Sequence, residues 1–186
     1  NGLNIKLIGE ARKEICSIQT EHFAVKPTDF IGVLPRLLVN EGDIVKAGTP
    51  LFSDKYRENI IFTSPVSGVI EQVCRGEKRL LEEIRIRSSA EIVSENFGVD
   101  DPRVTDRSAI IDKLLKSGTW PVIRQRPYST IANPDDTPKA VYVSGFDTAP
   151  LAPDYSFIIR ENLADFQVGI NVLARLSGKV VQLGVQ

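Results

Sequence analysis

Few residues in this chain have types and spacing suited to chemistry, and they fall in two places. Arg124-Gln-Arg126-Pro-Tyr128 sets two guanidinium groups and a phenol close together. Guanidinium forks present paired donors, so this group can hold a phosphate, a carboxylate or a quinone headgroup. The same side chains in a surface loop also need no ligand at all. Gly145-Phe-Asp147-Thr148-Ala-Pro150 follows an apolar run, Ala140-Val-Tyr-Val-Ser144, that reads as a strand. Ligands of open α/β sheets sit beyond the carboxyl ends of strands, where Gly145 would permit close approach and Asp147 or Thr148 would hydrogen-bond. No Gly-x-Gly-x-x-Gly follows that strand, so a dinucleotide cradle is not expected, and a structural loop fixed by Pro150 and Pro153 is the competing reading.

The remaining inventory excludes more than it offers. Cys16 and Cys74 are the only cysteines and His22 the only histidine. Cys and His alone cannot complete a four-ligand zinc site here, and the stretch cannot ligate an iron–sulfur cluster. A Ser-His-Asp triad would need His22, which has no nucleophile-elbow glycines around it, so no catalytic residue and no metal ligand is assigned. A net charge of -1, with 42% hydrophobic and 25% charged residues, gives no reason to expect nucleic-acid binding. No run of some 18 apolar residues exists, so no direct membrane span is expected. The first residues lack a signal peptide's basic start and apolar stretch, which favours a cytoplasmic protein, and a start at Asn1 rather than Met reads as a trimmed terminus.

The elements that must position these groups begin with an unusual run. Val39, Gly42, Val45, Gly48 and Leu51 recur every third residue, a period of neither helix nor strand. Gly42 and Gly48 supply sharp corners while Val and Leu enter a small core, and Phe62-Thr-Ser-Pro-Val-Ser-Gly68 follows. This is the pattern of compact lipoyl or biotinyl β modules. Val73-Cys-Arg-Gly76-Glu repeats Val39-Asn-Glu-Gly42-Asp, as expected of two similar β-meanders packed face to face. Such modules carry their modified lysine at the hairpin between the halves, where Lys55 lies here. No Met flanks it, so Lys55 reads as a solvated hairpin residue.

Short strands are expected at residues 5–8 and 15–18, then at 59–62, 69–73 and 84–87, with Ile84 and Ile86 inward and Arg85 and Arg87 outward. Arg75, Lys78, Arg79, Arg85 and Arg87 are interleaved with Glu77, Glu82 and Glu83, which reads as a mixed surface. A turn-rich link over residues 96–102 divides the chain into residues 1–100, the β barrel-sandwich with its N-terminal strands, and residues 101–186. In the second part Thr105 or Ser108 caps a helix with Ile110, Ile111, Leu114 and Leu115 on one face, ended by Ser117-Gly118. Asn162 caps another helix, with Leu163, Phe166, Ile170, Leu173 and Leu176 along one side. Strand 140–144, this helix and a strand from Lys179 make a parallel crossover, the unit of a Rossmann-like sheet. Two such strands cannot cover both sheet faces, so the α/β domain is expected to be incomplete. The fold class is therefore mixed α+β: a lipoyl/biotinyl-like barrel-sandwich hybrid, then a truncated Rossmann-like domain.

Longer matches suggest a family. The residues resemble the N-terminal part of the A subunit of the Na+-translocating NADH:quinone reductases, the Nqr complexes. The match runs through Gly2-Leu-Asn-Ile-Lys-Leu-Ile-Gly-Glu-Ala11, Pro35-Arg-Leu-Leu-Val-Asn-Glu-Gly-Asp43, Val45-Lys-Ala-Gly48, Pro50-Leu-Phe52, Asp54-Lys55 and Phe62 to Gly68. It continues with Arg75-Gly-Glu-Lys-Arg79, Trp120, Arg126-Pro127 and Asp147-Thr-Ala-Pro-Leu-Ala152. The resemblance implies a peripheral subunit on the cytoplasmic face of the bacterial inner membrane. It would hold no cofactor, lie at the quinone-reducing end, and have the other subunits of the complex and quinone as partners. Flavins and the iron–sulfur centre would sit on those partner subunits. Family members continue beyond this stretch into a ubiquitin-like β domain and a helical region. The alternatives are the C subunit of the Rnf ferredoxin:NAD oxidoreductases, or a non-redox carrier or adaptor with a lipoyl-like fold. Efflux adaptors carry a long helical hairpin between their halves, for which residues 54–59 leave no room.

Overall fold

The computed structural model describes residues 12–149 and 152–185. The strand expected at residues 5–8, the motif at residues 2–11 and Pro150 lie outside the described residues. Seven strands build the first part: β1 (His22–Val25), β2 (Pro35–Leu37), β3 (Ile44–Val45), β4 (Pro50–Asp54), β5 (Arg57–Thr63), β6 (Gly68–Arg75) and β7 (Leu81–Ser88). They form a four-stranded sheet in the order β1-β7-β6-β3 and a three-stranded sheet in the order β2-β4-β5, the two halves of a barrel-sandwich.

The alternation expected along β7 is present: Ile84 and Ile86 are fully buried, and Arg85 and Arg87 are exposed. The period-three run also does what its glycines require. Gly42 and Gly48 adopt φ of +91° and +99°, the left-handed region in which a side chain is strained, while Val39, Val45 and Leu51 are buried. The repeat in the second half is looser. Gly76 has φ -91°, and the left-handed backbone falls instead on Lys78 and Arg79, at φ 53° and 63°.

The strand expected at residues 15–18 does not form. Ile15 and Ile18 are 70% and 90% exposed and pair with nothing in a sheet, whereas the following segment, His22–Val25, pairs antiparallel with β7. Phe23 and Val25 there reach the core, so alternation together with an available edge decided the strand.

The second part contains α1 (Arg107–Lys116), the hairpin of β8 (Arg124–Gln125) and β9 (Thr130–Ile131), β10 (Val141–Ser144), α2 (Tyr155–Ile159), α3 (Leu163–Ser177) and β11 (Val181–Gly184). β10 and β11 pair in parallel, Val141 opposite Val181, as the strand-helix-strand pattern requires. The capping details differ. Asp106, not Thr105 or Ser108, occupies the start of α1, and the Thr105 hydroxyl donates instead to the Asp101 carbonyl at 2.7 Å. Asn162 precedes α3 without a side-chain cap bond, because the chain enters already turning through a 3₁₀ segment, Arg160–Asn162. The side-chain cap that does form is at α2, where Asp154 Oδ1 accepts from the Phe157 amide at 3.0 Å. Leu163, expected on the apolar side of α3, is 60% exposed.

Both parts share one apolar cluster. Ile110, Leu115, Trp120, Ile131 and Leu176 join the barrel residues Leu51, Phe52, Ile60 and Phe62 in it. Phe52 stacks on Phe62 at 4.4 Å between centroids and Phe30 meets Phe62 edge-on at 4.5 Å, pairs worth roughly 0.5–1.5 kcal/mol each beyond burial. The polar seam is equally specific. Arg57 Nε donates to the buried Asp54 carboxylate at 2.9 Å and Arg57 Nη1 donates to the Ile131 carbonyl at 3.1 Å. Nearby, the Thr63 hydroxyl donates to the Ser117 carbonyl at 3.3 Å.

Removing the acid from this seam strands a half-buried guanidinium. Asp54→Ala is expected to destabilise the chain by about 2 kcal/mol in urea unfolding, with Arg57→Lys costing less because one donor remains.

Candidate functional site

The second part encloses an open cleft of about 260 Å³ between the end of α1, the turn after it, β10 and α3. Leu114 comes from α1, Val122 and Ile123 from the turn, Val143 from β10, and Phe166, Gly169, Ile170 and Leu173 from α3. The apolar stripe of α3 points there because its residues recur at helical spacing, the period that gathers them on one side. Gly169 widens the cleft: a Cβ built at that position meets nothing within 4 Å. The one hydroxyl in the wall, on Thr119, already donates to the Leu114 carbonyl at 3.3 Å.

No titratable side chain lines this cleft, and among the described residues no buried side-chain polar atom lacks a partner. It can therefore receive a flat apolar ring or chain. Acid–base or nucleophilic chemistry has no group there to act.

None of the candidate site residues singled out from sequence is part of the cleft wall. Arg124 sits on β8, one residue beyond Ile123, with its Cζ 5.8 Å from the Phe30 ring centroid, so that it stacks on the barrel. Arg126 and Tyr128 occupy the turn between β8 and β9, where Tyr128 is 81% exposed. Gly145 follows β10 two residues after Val143 and is taken up in packing: its amide donates to the Gly184 carbonyl at 2.8 Å, and a Cβ there would lie 2.8 Å from that oxygen. Asp147 Oδ1 accepts from the Ala149 amide at 2.9 Å, closing a local turn, and Thr148 is exposed. Sequence reasoning did not find this cleft. Its available signal was Gly169, a glycine inside an apolar helix with no turn to make.

The cysteines are separate from this site. Cys74 lies half-buried across from Glu83 in the β6–β7 pairing, and burial pushes its thiol up from the ordinary value. Arg85 donates to Glu83 from Nε at 2.6 Å, and that hydrogen bond holds the Glu83 carboxyl below the usual carboxylate range. Lys55 forms the tip of the β4–β5 hairpin with Tyr56 and is exposed, at the place where a lipoyl module would present its lysine.

Comparison with known proteins places this geometry. Residues 1–89 match the model of the NqrA N-terminal barrel-sandwich hybrid domain, and residues 105–186 match that of the NqrA second alpha/beta domain. The chain belongs to the NqrA family. The A subunit of the Na(+)-translocating NADH-quinone reductase from Alcanivorax borkumensis is 37% identical over 95% of this chain and 40% of its own length. That of Serratia proteamaculans is 39% identical over 86% of this chain and 37% of its own length, and that of Glaesserella parasuis 33% over 94% and 40%. The chain therefore spans well under half the length of these NqrA relatives. These matches favour NqrA over the Rnf alternative. Among the described residues no helix is long and apolar enough to cross a membrane.

Two measurements check the site's local physics. Gly169→Ala is expected to stabilise the chain by about 0.5–1 kcal/mol, since it removes a helix-interior glycine into open space. Iodoacetamide followed by mass spectrometry should label exposed Cys16 well before Cys74 at neutral pH, because a raised thiol pKa leaves less thiolate; the gap should narrow as pH rises.

Proposed function

We propose that this chain is the N-terminal part of a peripheral subunit of a Na+-translocating NADH:quinone oxidoreductase. It works at the quinone-reducing end, on the cytoplasmic face of the bacterial inner membrane, and holds no redox centre of its own. The observation that carries the reading is membership of the NqrA family across both domains, with relatives named as the A subunit of that enzyme. Electrons would arrive from flavins and an iron–sulfur centre on the partner subunits. This chain would contribute binding, orientation and exclusion of water.

The quinone is proposed to lie in the apolar cleft. An apolar cavity near 150 Å³ takes up benzene, so about 260 Å³ suits a substituted quinone ring with little of its tail. Arg126 and Tyr128, on the hairpin that begins next to Ile123, are the candidates to hydrogen-bond a quinone oxygen, with Arg124 behind them. Asp147 and Thr148 follow β10, whose Val143 lines the cleft, and Gly145 keeps that loop against β11. A guanidinium donor suits this task because negative charge gathers on the oxygens as a quinone is reduced.

Titration with a soluble short-chain quinone, followed by Trp120 fluorescence, tests this. Trp120 is buried beside Thr119, and its Nε1 donates to the Ala132 carbonyl at 2.8 Å. Saturable quenching is expected, abolished by Gly169→Leu and weakened about tenfold by Arg126→Ala, the loss of one charge-assisted hydrogen bond. Unsaturable quenching, or equal affinity in the Gly169→Leu variant, would remove the quinone from this cleft and leave the chain as a docking scaffold.

A further inference from the structure

The loop between β6 and β7 holds a second concavity, on the barrel and apart from the cleft. It measures about 340 Å³, with Leu34 and Leu80 among its apolar lining and Arg75, Lys78, Arg79 and Glu77 among its polar lining. Lys78 and Arg79 are consecutive non-glycine residues in the left-handed region, a conformation that L side chains rarely adopt. The loop is nevertheless tied down. The Gly76 amide donates to the Leu80 carbonyl at 2.9 Å, the Leu80 amide to the Glu77 carbonyl at 3.1 Å, and Arg75 Nη1 to the Arg79 carbonyl at 3.3 Å. Glu82 lies across Gly76, where any Cβ would collide with its carboxylate.

Among the described residues none of these three cations forms an ion pair, whereas Arg36, Lys46, Arg57, Arg85, Arg103 and Lys113 each do. Three positive charges without an ion pair among the described residues, against Glu77 in the lining and Glu82 beside Gly76, over half-exposed leucines, favour a ligand with negative charges flanking an apolar side chain. A bare phosphate would leave Leu34 and Leu80 uncovered. A flat anionic bilayer would meet a concave surface and the Glu77 carboxylate.

We propose that this concavity docks an acidic peptide segment of a partner protein, with an apolar side chain seated against Leu34 and Leu80 and flanking carboxylates on Arg75, Lys78 and Arg79. The Leu34 carbonyl accepts from the Lys55 amide at 2.8 Å, so the docked segment also borders the β4–β5 hairpin tip. The proposal does not depend on where quinone binds.

A fluorescein-labelled peptide of alternating Glu and Leu tests it by anisotropy. Alongside it run a Lys-and-Leu peptide and vesicles of phosphatidylcholine containing phosphatidylglycerol. The Glu–Leu peptide is expected to bind saturably and the Lys–Leu peptide not at all. The Lys78→Gln/Arg79→Gln double variant should weaken binding about tenfold or more, and Leu80→Ser and Arg75→Gln should each weaken it several-fold. Arg87→Gln, an exposed cation outside the concavity, should change nothing, and all variants should keep the wild-type circular dichroism. Absence of saturable binding, equal affinity in the double variant, or binding to vesicles in place of the peptide would each overturn the proposal.

Discussion

The structure depends on the small polar knot at the base of the β4–β5 hairpin. Asp54 is 1% exposed, a burial that a carboxylate tolerates only with a close partner. Arg57 supplies that partner from three residues away and spends a second donor on the Ile131 carbonyl, 74 residues further along the chain. One side chain thus satisfies the hairpin and fastens the second part to it. Leu51, Phe52, Ser53 and Asp54 are all buried, which shows that β4 has neither face in water, unlike the edge of an isolated β module.

That knot lies at the hairpin where lipoyl and biotinyl modules present their lysine. Here Lys55 and Tyr56 still form an exposed two-residue turn, but the residues on either side, Asp54 and Arg57, are tied to each other and to the Ile131 carbonyl. Outside this hairpin lie two concavities: the apolar cleft in the α/β part and the basic concavity of the β6–β7 loop. They differ in chemistry as the residues supplying them do. α3 contributes apolar side chains, Phe166 among them, and one glycine; the loop contributes cations, two of them on left-handed backbone.

Local patterns made much of this legible in advance. The glycine run at residues 42–48 and the alternation of Ile84 and Ile86 have periods that admit one reading, and the strand-helix-strand order fixed a parallel pair. What escaped reading was non-local or very short. Asp54 looks like an ordinary solvated hairpin acid until Arg57 and Ile131 are brought to it. β8 and β9 are two residues each, and the Arg124-Gln125 pair is exposed, so no period exists to find. α2 is a single turn of five residues begun by Asp154. Residues 15–18 had strand composition without an edge to pair with, and composition alone does not make a ladder. The cleft was hidden for the same reason: its wall combines α1, β10 and α3, and each stripe alone reads as core.

Joined through the hairpin, the barrel and the α/β part should unfold as one unit. The direct measurement is urea unfolding followed two ways on the same sample: Trp120 fluorescence for the α/β side, and hydrogen exchange of the Ile84 and Ile86 amides for the barrel. Coincident transitions, separating when Arg57→Ala cuts the joint, are expected. Two transitions at different urea concentrations in the unmodified chain would contradict it, and would make the hairpin contact incidental.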